Sequence, residues 1–446
     1  MKKILLIGAG RSASTLIEYL LKQAETFSWH ITIGELNPEA AKGKTKNSPH
    51  ASVIAFDAQN EAQRSSVIET HDLVISMLPA TMHVPVAKDC IRFKKHMVTA
   101  SYVSDEMKQL HEEAKAAGVT ILNEMGVDPG IDHMSAVKVL DELRSEGADV
   151  FHFETFTGGL PAPESDDNPW HYKFFWNPKN VVTAGQGSAS KFLHEGTFKY
   201  IPYQRVFRRT ERVNIPGYGA FEGYANRDSL KYREAYGLQN AKTIYRGTFR
   251  RPGFSRAWNV LVQLGATDDS YIMENSENLS NRDFINSFLY YHPSDSVETK
   301  VAQQLHIDLD SDEMMRLEWL GLFDAQAKPG IKNASPAQIL LHILEQKWTP
   351  AADDKDMIVM WHRFVYTLKG ERKEKHAYLV CIGDGPVHSA MSKTVGLPVG
   401  IGARLLLENH PGKYGVLIPV SPEFYNPILA ELENFGIKAE EKDIAI

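Results

Sequence analysis

Short apolar runs and amphipathic stretches alternate along the first third of the chain. Runs at residues 4–7, 31–33, 52–56, 73–77, 97–99 and 119–122 read as strands. Between them, stretches such as 12–24, 61–69, 84–91 and 105–117 space their apolar positions as helices do. Strand–helix alternation with short turns predicts a parallel sheet covered by helices on both faces, a doubly wound α/β domain.

The pattern changes after Pro129. "GIDHMSAVKVLDELRSEG" predicts a helix stopped at Gly147, and "VFHFETFTGG" an alternating strand. From there to about Gly265 the chain is rich in Tyr, Phe and Arg in short strand-like pieces, which predicts an antiparallel or mixed sheet. Helical spacing dominates from about Asn278 to Trp348, with Ser335 as the N-cap of "SPAQILLHILEQKW". "DMIVMWHRFVYTLKGERKEKHAYLVCIG" reads as two strands joined by a charged turn, and "SAMSKTVGLPVGIGARLLLENH" as an apolar helix. The expected division is a dinucleotide-binding domain over 1–128, to which about 388–446 returns. A mixed α/β domain covers 129–277 and 349–387, and a small helical subdomain covers 278–348. One segment, "GGLPAPESDDNPWHYKFFW" (158–176), fits neither period.

A chain of 446 residues exceeds one ordinary core, in keeping with two or three domains. At 43% hydrophobic and 24% charged it is globular in composition. A net charge of −7 leaves no footprint for nucleic acid or an anionic membrane, and no apolar run is long enough to span a bilayer. The basic-then-apolar start "MKKILLIGAG" has too short an apolar part for a signal peptide and ends in a glycine turn. Two cysteines, Cys90 and Cys381, cannot make a disulfide framework or a four-ligand zinc site, so a reducing compartment, most simply the cytoplasm, is expected. His and acidic residues show no metal-ligand spacing, and no metal is expected.

In "ILLIGAGRSASTLIEYL", Gly8 and Gly10 fall between a strand and a helix. The pair permits a tight turn and lets backbone N–H groups approach a pyrophosphate at a helix N-terminus. Ala13 stands where a third glycine is usual and is small enough for helix–strand packing. Glu35, ending the second strand, suits two ribose hydroxyls and would repel a 2′-phosphate, so NAD is favoured, with NADP possible. Asp57 either faces the adenine or caps a turn, and Leu78 and Pro79 follow the fourth strand at the ligand edge. Neighbouring candidate cofactor contacts are Arg11, Ser12, Ala58, Ala100, Val127 and Pro129.

"TASYVSDEM" and "NEMGVDPGIDH" follow the fifth and sixth strands, so Ser101, Tyr102 and Asp128 converge on the ligand edge by topology, Ser101 and Asp128 within reach of the cofactor too. Asp132 could cap the next helix, and His133 could be an ordinary partly buried histidine.

These stretches, with "GGLPAPESDDNPWHYKFFW", "GYANRDS", "YRGTFRRPGF" and "MSKTVGLPVGIGARLLL", resemble the glutamate-forming saccharopine dehydrogenases (saccharopine reductases) over nearly the whole chain. The resemblance implies a Rossmann domain, a mixed α/β substrate and dimerisation domain with a small helical insertion, and a homodimer. It implies Arg227 and Arg250 as the cations for saccharopine's carboxylates, with contacts from Thr248 and Phe249, and Asn177 as a cofactor contact. Proton handling then falls to Tyr102, Asp128 or bound water, with no single obligatory base. The Gly158–Gly159 pair would let backbone pass close to cofactor or substrate, and Trp170, Tyr172, Phe175 and Trp176 would wall the cleft and pack the domains. The implied reaction interconverts saccharopine and glutamate plus 2-aminoadipate 6-semialdehyde with NAD or NADP. Alternatives are a carboxynorspermidine-type or lysine 6-dehydrogenase, which the paired arginine motifs disfavour, and a non-catalytic NAD-binding sensor.

Overall fold

A computed structural model describes residues 1–445, apart from the side chains of Arg11 and Ala40. The chain divides into two units, the first formed by residues 1–149 and 379–440, the second by 150–378 and 441 onward.

The first unit is built on β1 (Lys2–Ile7), β2 (Trp29–Glu35), β3 (Ala51–Ala55), β4 (Leu73–Ser76), β5 (His96–Thr99) and β6 (Thr120–Leu122). A late strand, Gly415–Leu417, pairs with β6 and completes a seven-stranded sheet of order 415–417, β6, β5, β4, β1, β2, β3. All its pairings are parallel. Strand order reverses at β1, so the carboxyl ends of β1 and its neighbours form the topological switch point where such sheets bind ligands. Helices α1 (Ser14–Phe27), α2 (Pro38–Lys42), α3 (Glu61–Glu69), α4 (His83–Arg92), α5 (Asp105–Gln109), α6 (His111–Ala116) and α7 (Ile131–Ser145) lie between and after the strands. The helix expected over 105–117 breaks at Leu110. Helix α7, assigned from sequence to the second domain, lies in the first unit, where the Tyr425 hydroxyl donates to Asp141 at 2.8 Å.

The apolar helix Ala390–Glu408 lies against α1 at very short range. A Cβ at Gly396 would come within 2.9 Å of the Leu16 backbone nitrogen, and one at Gly400 within 2.6 Å of the Tyr19 ring. The glycines therefore set the interhelical distance. Tyr19 cannot retreat, because its hydroxyl donates to Glu431 at 2.7 Å and accepts from Arg404 at 3.1 Å.

The second unit has one mixed sheet. Its strands are β7 (Asp149–Pro161), β8 (Ser190–His194), β9 (Thr197–Ile201), β10 (Glu211–Ile215), β11 (Gly219–Ala225), β12 (Thr243–Arg250), β13 (Asp356–Leu368) and β14 (Glu371–Ile382), with Glu440–Ile444 at one edge. β7 and β12 run parallel, while β10–β11, β11–β12 and β8–β9 are antiparallel. The Phe156 ring lies over backbone at Gly223 and Gly247, where a Cβ would sit 2.4 and 2.0 Å from it. Helices at 254–264 and 281–348 enclose a core that includes Trp170, Trp258 and Trp348. Ser335 caps Pro336–Trp348 through a reciprocal capping box with Gln338.

Much of the unusual 158–176 segment is explained here. Its first residues continue β7 to Pro161. A Cβ at Gly158 would meet the Phe249 carbonyl oxygen at 2.5 Å, so this glycine admits the close approach of β12. Trp170 and Tyr172 are fully buried in the helical core, and Phe175 and Trp176 are half-buried. Lys173 fixes the strap, donating to Asp167 and to both oxygens of Asp354 at 2.8–2.9 Å.

Replacing Gly396 with Val is expected to cost about 1–3 kcal/mol through overpacking against α1. Urea unfolding would report this as a lower midpoint at unchanged slope.

Candidate active site

The glycine turn after β1 is shaped for close approach. Gly8 has φ +93°, and a Cβ there would stand 3.0 Å from the Met77 carbonyl oxygen. A Cβ at Gly10 would meet nothing within 4 Å. A 3₁₀ turn, Arg11–Ala13, leads directly into α1, and Ala13 is buried as its packing role requires. The Arg11 side chain lies outside the described residues. Backbone donors at a helix N-terminus beside an open glycine suit a dinucleotide pyrophosphate.

Glu35 reaches into this turn. Its Oε2 accepts the Ala9 N–H at 2.7 Å and its Oε1 the Leu36 N–H at 3.1 Å. Lys44 reaches the same turn, its Nζ donating to the Ala9 and Gly10 carbonyls at 2.7 Å each. Burial lowers the Lys44 pKa, and the Glu35 charge partly restores it. Sequence reading missed Lys44, which sits among exposed polar residues before β3. Asp57 caps a turn, one carboxylate oxygen accepting the Gln59 N–H at 2.9 Å. Ala58 is buried, and its carbonyl accepts from Arg64, which pairs with Asp89 at 2.7 Å. Leu78 is half-buried and Pro79 exposed after β4.

At the carboxyl ends of β5 and β6 the structure brings Tyr102 and Asp128 together, the phenol donating to Asp128 Oδ1 at 3.0 Å. Ala100, Ser101, Tyr102 and Asp128 are half-buried, while Val127 and Pro129 are buried. The loop holding Asp128 is closed by Gly126 N–H on the Pro129 carbonyl at 2.9 Å. A Cβ at Gly130 would overlap the Gly126 carbonyl oxygen at 2.0 Å, so this glycine is obligatory. Asp132 Oδ1 accepts the Gly130 N–H at 2.6 Å.

Beneath the loop lie groups that sequence reading undervalued. His133, expected to be partly buried, is wholly buried, its Nε2 2.7 Å from Glu124 Oε2. The other Glu124 oxygen accepts the Val103 N–H at 3.0 Å. Glu124 thereby joins the segment carrying Ser101 and Tyr102 to the start of α7. A second connection runs through His83, the first residue of α4. Its Nδ1 lies 2.8 Å from Ser76 Oγ and its Nε2 2.7 Å from Ser101 Oγ. The available signal was position alone, since Glu124 follows β6 and His83 opens the helix after β4.

The second unit holds the arginine motifs. Arg250 ends β12 and is 4% exposed. Its guanidinium lies over Tyr172 at 4.8 Å and Phe254 at 5.3 Å, and Nη1 donates to the Phe249 carbonyl at 2.8 Å. Its Nε has no hydrogen-bond partner, and no ion pair to it occurs among the described residues. Three nearby arginines differ. Arg251 donates to the Tyr218 carbonyl at 2.7 Å and lies over Phe221, Arg208 donates to Gln263, and Arg209 pairs with Glu211. A buried guanidinium with an open donor and no counter-ion is costly unless an anion completes it. Arg227 is exposed in a left-handed conformation, φ +47°. Thr248 is half-buried. The Phe249 ring is fully buried against Phe156 and Phe221, so it offers a ligand no side-chain surface. Asn177 N-caps the short helix Pro178–Val182, its Oδ1 accepting from Lys179 and Asn180.

Residues 4–122 match the family model described as the saccharopine dehydrogenase NADP binding domain, and residues 126–437 the one described as the saccharopine dehydrogenase C-terminal domain. The chain belongs to the saccharopine dehydrogenase family. It is 34% identical to the Schizosaccharomyces pombe protein named saccharopine dehydrogenase (NADP(+), L-glutamate-forming), covering 100% of this chain and 99% of that one. The Saccharomyces cerevisiae protein of the same name is 32% identical, with both chains covered in full. The chain also matches alpha-aminoadipic semialdehyde synthase of Arabidopsis thaliana at 33% identity, covering 98% of this chain but only 44% of that longer protein. A solved structure of the S. cerevisiae saccharopine dehydrogenase (L-Glu forming), in its apo form, superposes with a TM-score of 0.89 at 31% identity over the whole of both chains. The family model and the fungal relatives are named for NADP, so the preference for NAD read from Glu35 finds no support among them.

Burial holds the His83 pKa down at about 4, and burial with the adjacent His410 ring holds His96 at about 4, against an ordinary 6.5. The unfolded chain therefore takes up protons at these sites before the folded one does. Their contribution to stability is complete above about pH 6.5 and is lost as pH falls towards 4. The urea midpoint is expected to fall across that window. His96→Asn, whose amide oxygen can replace Nδ1 as acceptor for the Thr120 N–H, should flatten the slope there.

Proposed function

We propose that this chain is a glutamate-forming saccharopine dehydrogenase. It interconverts saccharopine, NAD(P) and water with L-glutamate, 2-aminoadipate 6-semialdehyde and NAD(P)H. The observation that carries this reading is Arg250, a buried guanidinium whose Nε has no partner and which an anionic substrate would complete. Saccharopine has three carboxylates, and Arg227 is assigned to a second of them. A diamine substrate would call for acids in these places.

The residues around Gly8 and Gly10 fit a nicotinamide dinucleotide, with Ser12, Ala13, Ala58, Leu78, Ala100, Val127 and Pro129 as further contacts. When bound, that cofactor supplies the hydride acceptor for the lysine-derived ε-carbon. The resulting substrate imine adds water, and the carbinolamine loses glutamate as its carbon–nitrogen bond breaks and the aldehyde carbonyl forms. Asp128 accepts a proton released in these steps, and Tyr102, already hydrogen-bonded to it, orients it and can return a proton to the leaving nitrogen. In the reverse direction the same pair supplies the proton with which the carbinolamine hydroxyl leaves as water. Asn177 is assigned to the cofactor through the amide nitrogen that its capping role does not use. A homodimer and a cytoplasmic setting complete this reading. No helix among the described residues is long and apolar enough to cross a membrane.

Purified protein is expected to reduce NAD or NADP with saccharopine and not with lysine or carboxynorspermidine. Arg250→Lys, which keeps charge but loses the fork, should raise the saccharopine KM by roughly 10- to 100-fold, the worth of a charge-assisted hydrogen bond. It should leave the dinucleotide KM unchanged. No turnover of saccharopine with either nucleotide overturns the assignment.

Glu35 supports NAD as the preferred nucleotide, since a carboxylate at this strand end disfavours a 2′-phosphate. Glu35→Arg is expected to move the kcat/KM ratio towards NADP. A wild-type preference for NADP would overturn this part alone, and would make Lys44 the nearest candidate for the phosphate.

A further inference from the structure

Ser76 and Ser101 stand at the carboxyl ends of adjacent strands, β4 and β5, and the imidazole of His83 spans them. Ser76 is wholly buried and His83 is 3% exposed, whereas Ser101 is half-buried at the edge of the site. Burial, which depresses the His83 pKa to about 4, keeps the ring neutral near pH 7. A neutral imidazole has one donor nitrogen and one acceptor nitrogen. Only two arrangements are therefore open.

In the first, Nδ1–H donates to Ser76 and Nε2 accepts from Ser101. The Ser76 hydroxyl proton would then be buried with no acceptor, because Nδ1 is the only hydrogen-bond partner of its oxygen, side chain or backbone, among the described residues. In the second, Ser76 donates its proton to Nδ1, and Nε2–H donates to Ser101 Oγ. Every buried group is then satisfied, and a buried unsatisfied donor is the costlier alternative. The second arrangement has a consequence for Ser101. Its oxygen receives one hydrogen bond from below, and its own proton finds no acceptor in the protein among the described residues.

We propose that His83, fixed by Ser76 as the Nε2–H tautomer, is a positioning residue that turns Ser101 into a hydrogen-bond donor for an acceptor oxygen of the bound ligand. This rests on the functional reading above only for the identity of that ligand. The acceptor belongs either to a substrate carboxylate or to a carbonyl or ribose oxygen of the dinucleotide. His83 touches neither and acts through Ser101.

Two measurements test this on the full chain. In protein labelled with ¹⁵N-histidine, the His83 resonances, identified by their loss in His83→Gln, should be those of a neutral ring protonated at Nε2 at pH 7. A ring protonated at Nδ1, or an imidazolium, overturns the proposal whether or not saccharopine is a substrate. In Ser76→Ala the tautomer loses its anchor. Either the saccharopine KM or the dinucleotide Kd, the latter read by fluorescence titration, should then weaken by about 2- to 10-fold, the worth of one neutral hydrogen bond. The arm that weakens identifies which ligand holds the acceptor. A Ser76→Ala protein that is merely less stable to urea, with both constants and the tautomer unchanged, overturns the proposal by reducing the relay to a packing feature.

Discussion

A carboxylate taken out of water must have its oxygens hydrogen-bonded or paired, and Glu124 is such a group at 3% exposure. Its two oxygens hold two different segments, the Val103 N–H after β5 and the His133 ring on the first turn of α7. Its own backbone N–H donates to the Ser101 carbonyl, from a left-handed conformation at φ +58°. The 3.0 Å contact between Tyr102 and Asp128 depends on this arrangement, because each belongs to one of the segments that Glu124 joins. A non-glycine residue held at positive φ beside the site shows the surrounding contacts outweighing a local backbone preference.

The second unit solves its own positioning problem with apolar contacts. Phe156 on β7 lies over the glycines of β11 and β12, and Gly158 lets β12 approach at Phe249. These aromatic–glycine pairs fix the register of parallel β7 and β12. They also set which face each β12 residue presents. Phe249 goes into the sheet core and Arg250 to the opposite face, against Tyr172 and Phe254. Aromatic surface here positions a cation.

Much of this was legible from periodicity. The six early strands, the glycine turn, the Ser335 cap and the paired strands β13 and β14 are local patterns, and local patterns survive folding when tertiary contacts agree with them. The packing of the 158–176 segment was not legible because its aromatics have no period, and burial by the helices at 254–348 cannot be seen from the segment itself. Glu124, His83 and Lys44 were missed for a different reason. Each is a lone polar residue whose partners are set by strand order, not by spacing. For Asp128 and Tyr102 topology was enough, since residues following adjacent parallel strands must meet at one edge.

Hydrogen-bond completeness separates the buried polar groups into two kinds. Arg64 with Asp89, Lys173 with Asp167 and Asp354, and Glu124 with His133 and Val103 are satisfied within the protein. Their chemistry is spent on holding segments together, and a ligand has little to offer them. Arg250 has an unpartnered Nε, and Ser101 has a hydroxyl proton left over once its oxygen accepts from His83. A folded chain tolerates such open valences where something outside it closes them. Both belong to groups whose natural complement is an oxygen acceptor, a carboxylate for the guanidinium and a carboxylate or carbonyl for the hydroxyl.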